Sequence, residues 1–274
     1  MGRLAQTLGL SEDPSLHYSQ ELIDSLQRDY EEVQEKLQYL LLEAVQSAET
    51  LSVLRAKEHL IQGVGRRLKT IRRSLDNVFR LYPPSLEVPL DSGDLEDVQI
   101  NLHAFVINIY GLFENLAWSF VLRHGLEREI GKRTNIGLFI ARTQRHLPSE
   151  IKDYITSSTI IAWHTTYLKN YRDSLAHRIP LYVPPATFTP DEGEQYRSLE
   201  IEKISSIRDR NWGRIDNIYE EQAALGKPCP VFLHLLTETE EYESPVYLHP
   251  QMFCDVKTII EFLPIFLSNW ARKA

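Results

Sequence analysis

Cysteine is nearly missing from this chain: Cys229 and Cys254 are the only two in 274 residues. That excludes a disulfide-stapled scaffold and suits a reducing compartment in which both thiols are free. Also missing is any run approaching the roughly 18 consecutive apolar residues of a membrane span. The opening "MGRLAQTLGLSEDPS" lacks the apolar stretch of a secretion signal. A cytoplasmic protein with no membrane partner is expected. There are no internal repeats and no low-complexity tract. The short motifs of zinc proteases, Walker-type phosphate loops, nucleophile elbows and paired-carboxylate hydrolases do not occur. Two near misses can be set aside. "GVGRRL", Gly63 to Leu68, has Leu68 where a dinucleotide loop needs its third glycine and no strand before it, so it reads as a helix irregularity. Cys229, His234, His249 and Cys254 form a C-x4-H and H-x4-C pair, but a five-residue offset along a strand sends the two side chains to opposite faces. No metal and no cofactor are expected.

What is present is ordinary globular composition, 43% hydrophobic and 25% charged. The net charge of −8 argues against nucleic acid as a partner, because Lys and Arg supply most phosphate affinity. The local balance differs. Between Val121 and Pro180 ten Lys/Arg face five Asp/Glu, a local +5 that leaves −13 elsewhere. Such a region lets a polyanion approach one face, and a solvated charged surface reads the same way.

Apolar residues recur at helical spacing from Ser15 to Ala48, with Ser15 in an N-cap position, and again from about Leu51, weakened at Gly63 and Gly65, to the stop at Pro83-Pro84. These two helices predict an N-terminal hairpin over residues 1–84. The second arm carries Arg66, Lys69, Arg73 and Arg80 on one stripe, either a phosphate-tracking face or a solvated one. A Pro-, Gly- and Ser-rich linker, Leu81 to Asp94, separates the hairpin from residues 85–274. There Asp94 to His124 predicts a strongly apolar helix with Asn101, Asn108 and Asn115 seven residues apart on one line. Buried amides need partners, so this line either stitches helices together or faces a polar cleft. Further helices are expected over about 135–145, 148–157 and 159–177. "LYVPPATFTP" reads as extended and 199–221 as ambiguous. "PVFLHLL" and "SPVYLH" form a small β-hairpin before a final helix from Pro250 to Trp270, with a kink at Pro264. The predicted class is mainly α.

The chemistry concentrates in "NYRDSLAHRIPLYVPP", Asn170 to Pro185. At about 100° per residue, Thr166, Asn170, Asp173, Ser174 and His177 share one polar stripe opposite Ile161, Leu168 and Leu175. Asp173 and His177 are four apart, so the carboxylate is expected to orient the imidazole and, with the helix C-terminal dipole, to raise its pKa from about 6.5. Arg172 sits further round, able to reach the same cleft or a second subunit. A plain helix-closing cluster has the same spacing.

"RDSLAH" resembles the signature of the HEPN family: an Arg, a polar residue, and a His a few positions later, near the end of a helix in a helical bundle. "FENLAW", residues 113–118 in an earlier and longer helix, is a second likeness. The resemblance implies a HEPN-like helical bundle and a homodimer in which two copies of the motif converge. It implies a metal-independent endoribonuclease of toxin-antitoxin, phage-defence or RNA-processing type, with RNA as substrate and an antitoxin or defence protein as a further partner. In that frame Arg172, Asp173 and His177 are catalytic, and Ser174, Asn170, Arg178 and Asn115 bind RNA or support the site. One departure concerns regulation: members silenced by adenylylation carry a Tyr two residues after the His, where this chain has Ile179. The alternative is a non-catalytic module of the same shape that binds RNA, nucleotide or a protein partner.

Overall fold

The computed structural model describes residues 18–233 and 245–273. Helix α1, Gln20–Glu49, buries Leu22, Leu26, Val33, Leu37, Leu40, Ala44 and Ala48, the face that its spacing predicts. Its N-cap is Ser19, whose side chain accepts from the Leu22 N–H; the expected cap, Ser15, lies outside the described residues. Helix α2 runs unbroken over 54–81 as Leu54–Glu58, a π-helical turn His59–Gly65, and Arg66–Leu81. The glycines that weaken the sequence pattern mark that wide turn. Helix α3, Ser92–His124, is capped by Asp91, ends on Gly125 in the left-handed conformation (φ 64°), and supplies the centre of the core. Residues 92–123 are long and apolar enough to cross a membrane by length and composition, but 67% of the apolar window is buried inside the protein.

Where a helix over 135–145 is expected, the chain instead makes short pieces. Helix α4 is Glu127–Ile130, a 3-10 turn follows at Arg133–Asn135, and α5 is only Ala141–Gln144. Thr143 explains the break: its hydroxyl donates to the Asn135 carbonyl and accepts from the Gly137 N–H, closing a loop across these residues. Helix α6 is Ser149–Ile155, and α7 spans 158–177 with a second π-helical turn, Trp163–Leu168, in its middle. The ambiguous region resolves as α8, Pro190–Arg208, and α9, Trp212–Ala223; a Thr189 and Glu192 capping box starts the first. Strands β1, Val231–Phe232, and β2, Val246–Tyr247, pair antiparallel, as expected of the small β-hairpin. Helix α10, Leu248–Asn269, carries Pro264 inside it and packs on α1. The fold is mainly α with this one small sheet. One buried cluster draws on both sides of the linker, from Leu22 and Val33 through Phe105 and Phe120 to Phe266 and Trp270.

Two buried networks tie α10 to the rest. The His249 Nε2–H donates to the Tyr82 carbonyl at 2.7 Å, and Nδ1 lies 3.1 Å from the Tyr18 hydroxyl. His249 thereby holds helix ends together, and among the described residues no His, Cys, Asp or Glu cluster suited to a metal is present; His234 lies outside them. Asp255 accepts from the Trp163 indole, the Tyr167 hydroxyl and the Gln251 amide, each at 2.8 Å. Trp163 and Tyr167 belong to the π-helical turn of α7, so Asp255 fixes the register of the helix that carries Arg172.

These groups set a pH signature. Burial pushes the imidazoles of His249 and His164 down from 6.5 to about 4, so both are neutral in the fold. The stability they contribute is complete above 6.5 and is lost as pH falls toward 4. Burial pushes Asp255 up from 3.8 to about 7, outweighing its three donors, so its contribution runs the other way: complete below 3.8 and lost as pH rises to about 7. Denaturant midpoints are expected to fall between pH 6.5 and 4, and Asp255→Asn to steepen that fall by removing the opposing slope. A flat midpoint across this window, or a profile that Asp255→Asn leaves unchanged, would refute these assignments.

Candidate active site

Helix α7 lies along α3, and the meeting of the two builds the site. After the π-helical turn, Lys169–His177 is regular α-helix. Past it, the His103 Nε2–H donates to the Leu181 carbonyl at 2.7 Å, and the Val183 N–H donates to Gln99 at 3.2 Å. The segment that follows the motif is thus pinned to α3, which fixes where α7 ends.

The Arg172 guanidinium lies 4.0 Å from the centre of the Tyr110 ring, a cation–π seat. It pairs with Asp173 at 3.0 Å, and among the described residues its buried Nε has no hydrogen-bond partner. Tyr110 stacks in turn on His164, which is sandwiched against Phe139 at 3.6 Å. The buried His164 Nδ1 likewise has no partner among the described residues.

The expected Asp173–His177 pair does not form. Asp173 has a second i,i+4 neighbour on the other side, Lys169, whose ammonium takes Oδ2 at 2.8 Å while Arg172 takes Oδ1. Two permanent cations thus occupy both oxygens of the one carboxylate. His177 is exposed and has no hydrogen bond or ion pair among the described residues. Asp173 is therefore placed to orient Arg172 and not His177.

The supporting residues divide. Ser174 is fully buried and donates to the Asn170 carbonyl, so it faces the core. Asn170 is half-buried and donates to the Thr166 carbonyl, and the Arg178 N–H caps the helix by donating to the Ser174 carbonyl. Asn115 lies away from Arg172: its oxygen accepts from the Arg67 Nε at 2.8 Å and its amide lies 3.2 Å from the His59 Nδ1. Asn108 accepts from the Arg67 Nη1 at 3.0 Å, and Asn101 accepts from Asn77 at 2.9 Å. The asparagine line stitches α3 to α2.

Glu114 was not among the residues singled out from the sequence. It is half-buried, four residues from Tyr110, so it shares that face of α3. Burial pushes its carboxyl pKa up, against the pull of Arg172 and Arg67, both close enough to favour its charged form. The signal available in the sequence was an acid inside the apolar "FENLAW". Compared with family models, curated proteins and solved structures, the chain matches none.

Proposed function

We propose that the protein is a metal-independent, HEPN-like endoribonuclease acting as a homodimer. The observation that carries this reading is the pairing of a seated arginine with a free histidine. Arg172 is held on Tyr110 and oriented by Asp173, and five residues later His177 stands exposed and unpaired at the end of the same helix. Cleavage of RNA by its own 2′-hydroxyl needs nothing more: the O2′–P bond forms, the P–O5′ bond breaks, and a 2′,3′-cyclic phosphate and a 5′-hydroxyl result. His177 moves the proton from the 2′-oxygen towards the leaving 5′-oxygen, and Arg172 stabilises charge on the phosphoryl oxygens. The family resemblance adds a toxin or phage-defence setting, with an antitoxin or defence protein as partner.

The second copy follows from helix geometry. Five residues at about 100° place Arg172 and His177 about 140° apart, so one helix serves a single cleft poorly. Ile100 and Ile107, 63% and 40% exposed, lie on the same seven-residue line of α3 as Glu114 and form an exposed apolar pair on which a two-fold partner can pack. Under subunit exchange, a mixture of inactive Arg172→Ala and inactive His177→Ala proteins is expected to regain cleavage, because one site of each heterodimer keeps both native residues. If activity stays absent although mixed dimers form, both residues act from one chain; a fully active monomer removes the dimer altogether.

A non-catalytic module binding RNA, nucleotide or protein has one observation in its favour. Asp173 already neutralises Arg172, as in a purely structural ion pair. A protein that binds RNA with its scissile phosphates intact would be this second case.

A further inference from the structure

On the flank of α3 away from Tyr110, α2 and α3 border an open cavity of about 500 Å³ around Arg67. The guanidinium is half-buried, yet its partners Asn108 and Asn115 are neutral amides, and among the described residues it forms no ion pair. Nη2 makes no hydrogen bond to a described residue. Two glycines make room for this arrangement. A Cβ on Gly111 would stand 2.3 Å from the Arg67 guanidinium carbon, and one on Gly63 would stand 2.6 Å from the Asn115 amide carbon.

Of the other lining groups, Arg66 and His59 offer donors, Gln62 and Thr70 can both donate and accept, and Glu58 is an acceptor. Arg66 is exposed and unpaired among the described residues. The Asn115 oxygen is taken by Arg67, so its amide nitrogen donates to the His59 Nδ1, which leaves His59, in its neutral form, with its proton on Nε2. Glu58 at the rim is the one acid in the lining, against two arginines.

We propose that this α2–α3 cleft binds a phosphoryl group, with Arg67 and Arg66 as its anion contacts and His59 as a neutral donor. The half-buried Arg67 guanidinium makes its hydrogen bonds only to amide oxygens, and Glu114 acts on it without forming an ion pair, so an anion at the open Nη2 edge completes its shell. The π-helical turn His59–Gly65, a rare helix form that recurs at functional sites, is what brings His59, Gly63 and Arg67 to one side of the cavity. The volume exceeds that of a lone phosphate and falls within the roughly 300–1,000 Å³ of small-molecule sites, which suits a nucleotide or a stretch of nucleic-acid backbone. Arg172 does not line this cavity, and binding here does not depend on RNA being cleaved at Arg172.

The test is calorimetric titration of the full chain with pyrophosphate, with adenosine 5′-monophosphate, and with a short single-stranded DNA that has no 2′-hydroxyl and is not a cleavage substrate. Binding is expected in at least one titration. Arg66→Gln, which alters an exposed side chain, and Gly111→Ala, which keeps the Arg67 charge but displaces its guanidinium, should each weaken binding about tenfold, the scale of one charge-assisted hydrogen bond. Arg172→Ala should leave it unchanged. Binding of the two small ligands identifies a free nucleotide as the source of the phosphoryl group, and binding of the oligonucleotide alone identifies a strand backbone. No binding in any arm at millimolar concentration overturns the proposal. So does binding that survives both variants with unaltered circular dichroism, or that is lost only on Arg172→Ala.

Discussion

Replacing His177 with Ala is expected to reduce RNA cleavage by roughly 10²- to 10⁴-fold, the usual contribution of a general acid–base group, without a measurable change in helical circular dichroism or melting temperature. The second part follows from where the side chain sits. His177 is exposed, has no partner among the described residues, and occupies the last position of α7, so its removal opens no cavity and breaks no bond. The change should fall on kcat and leave RNA affinity nearly intact, because the group transfers protons and does not clamp the strand. Undiminished cleavage by His177→Ala would remove it from the chemistry, and a loss of fold would reassign it to closing the helix.

Arg172→Ala is expected to cost roughly 10²- to 10³-fold in cleavage, the scale seen when one preorganised donor to a transition-state oxyanion is removed. Here a small stability loss should accompany it, since the guanidinium also covers the Tyr110 ring, a contact worth roughly 0.5–2 kcal/mol. Arg172→Lys separates the two roles. It keeps the charge near Asp173 but loses the planar fork that stacks on tyrosine and grips phosphate with two bonds, so stability should largely return while cleavage does not. Full activity in Arg172→Lys would show that a point charge suffices there. Loss of fold in both variants would instead identify the Arg172–Asp173 pair as structural.

The sequence was most readable where one period dominates. The buried face of α1 and the stop at Pro83-Pro84 follow directly from helical spacing, and α3 was readable from its apolar content, since it is enclosed on most sides, with Ser119 to Leu122 buried in succession. Helices α8 and α9 were not readable for the opposite reason. Leu199 and Ser206 are the buried residues of α8, while Ile201, Ile204 and Ile207 are exposed, so its apolar residues do not mark an inward face. The Asp173–His177 pairing failed on a competition that spacing alone does not rank: Lys169 is as near along the helix as His177, and Arg172 is adjacent. Arg67 was passed over between the exposed stripe of Arg66, Lys69 and Arg73 and the buried Leu68 and Ile71. Its importance rests on Gly63 and Gly111, which lie on different helices and meet only in the fold. Asp255 left a local trace, an acid on a face with Met252, Val256 and Ile259, but its donors Trp163 and Tyr167 lie some ninety residues earlier in the chain.

Metal-free cleavage by Arg172 and His177 through the RNA's own 2′-hydroxyl leaves a distinct chemical signature. The most direct measurement incubates purified protein with a short RNA and with the same sequence carrying 2′-deoxyribose at every position, both in excess EDTA, and identifies the product ends. Cleavage of the RNA alone is expected, to 2′,3′-cyclic phosphate and 5′-hydroxyl termini, and slowed at least about a hundredfold in His177→Ala. Cleavage that needs an added divalent cation, that also cuts the deoxy strand, or that leaves 5′-phosphates would contradict this chemistry, as would RNA that stays intact.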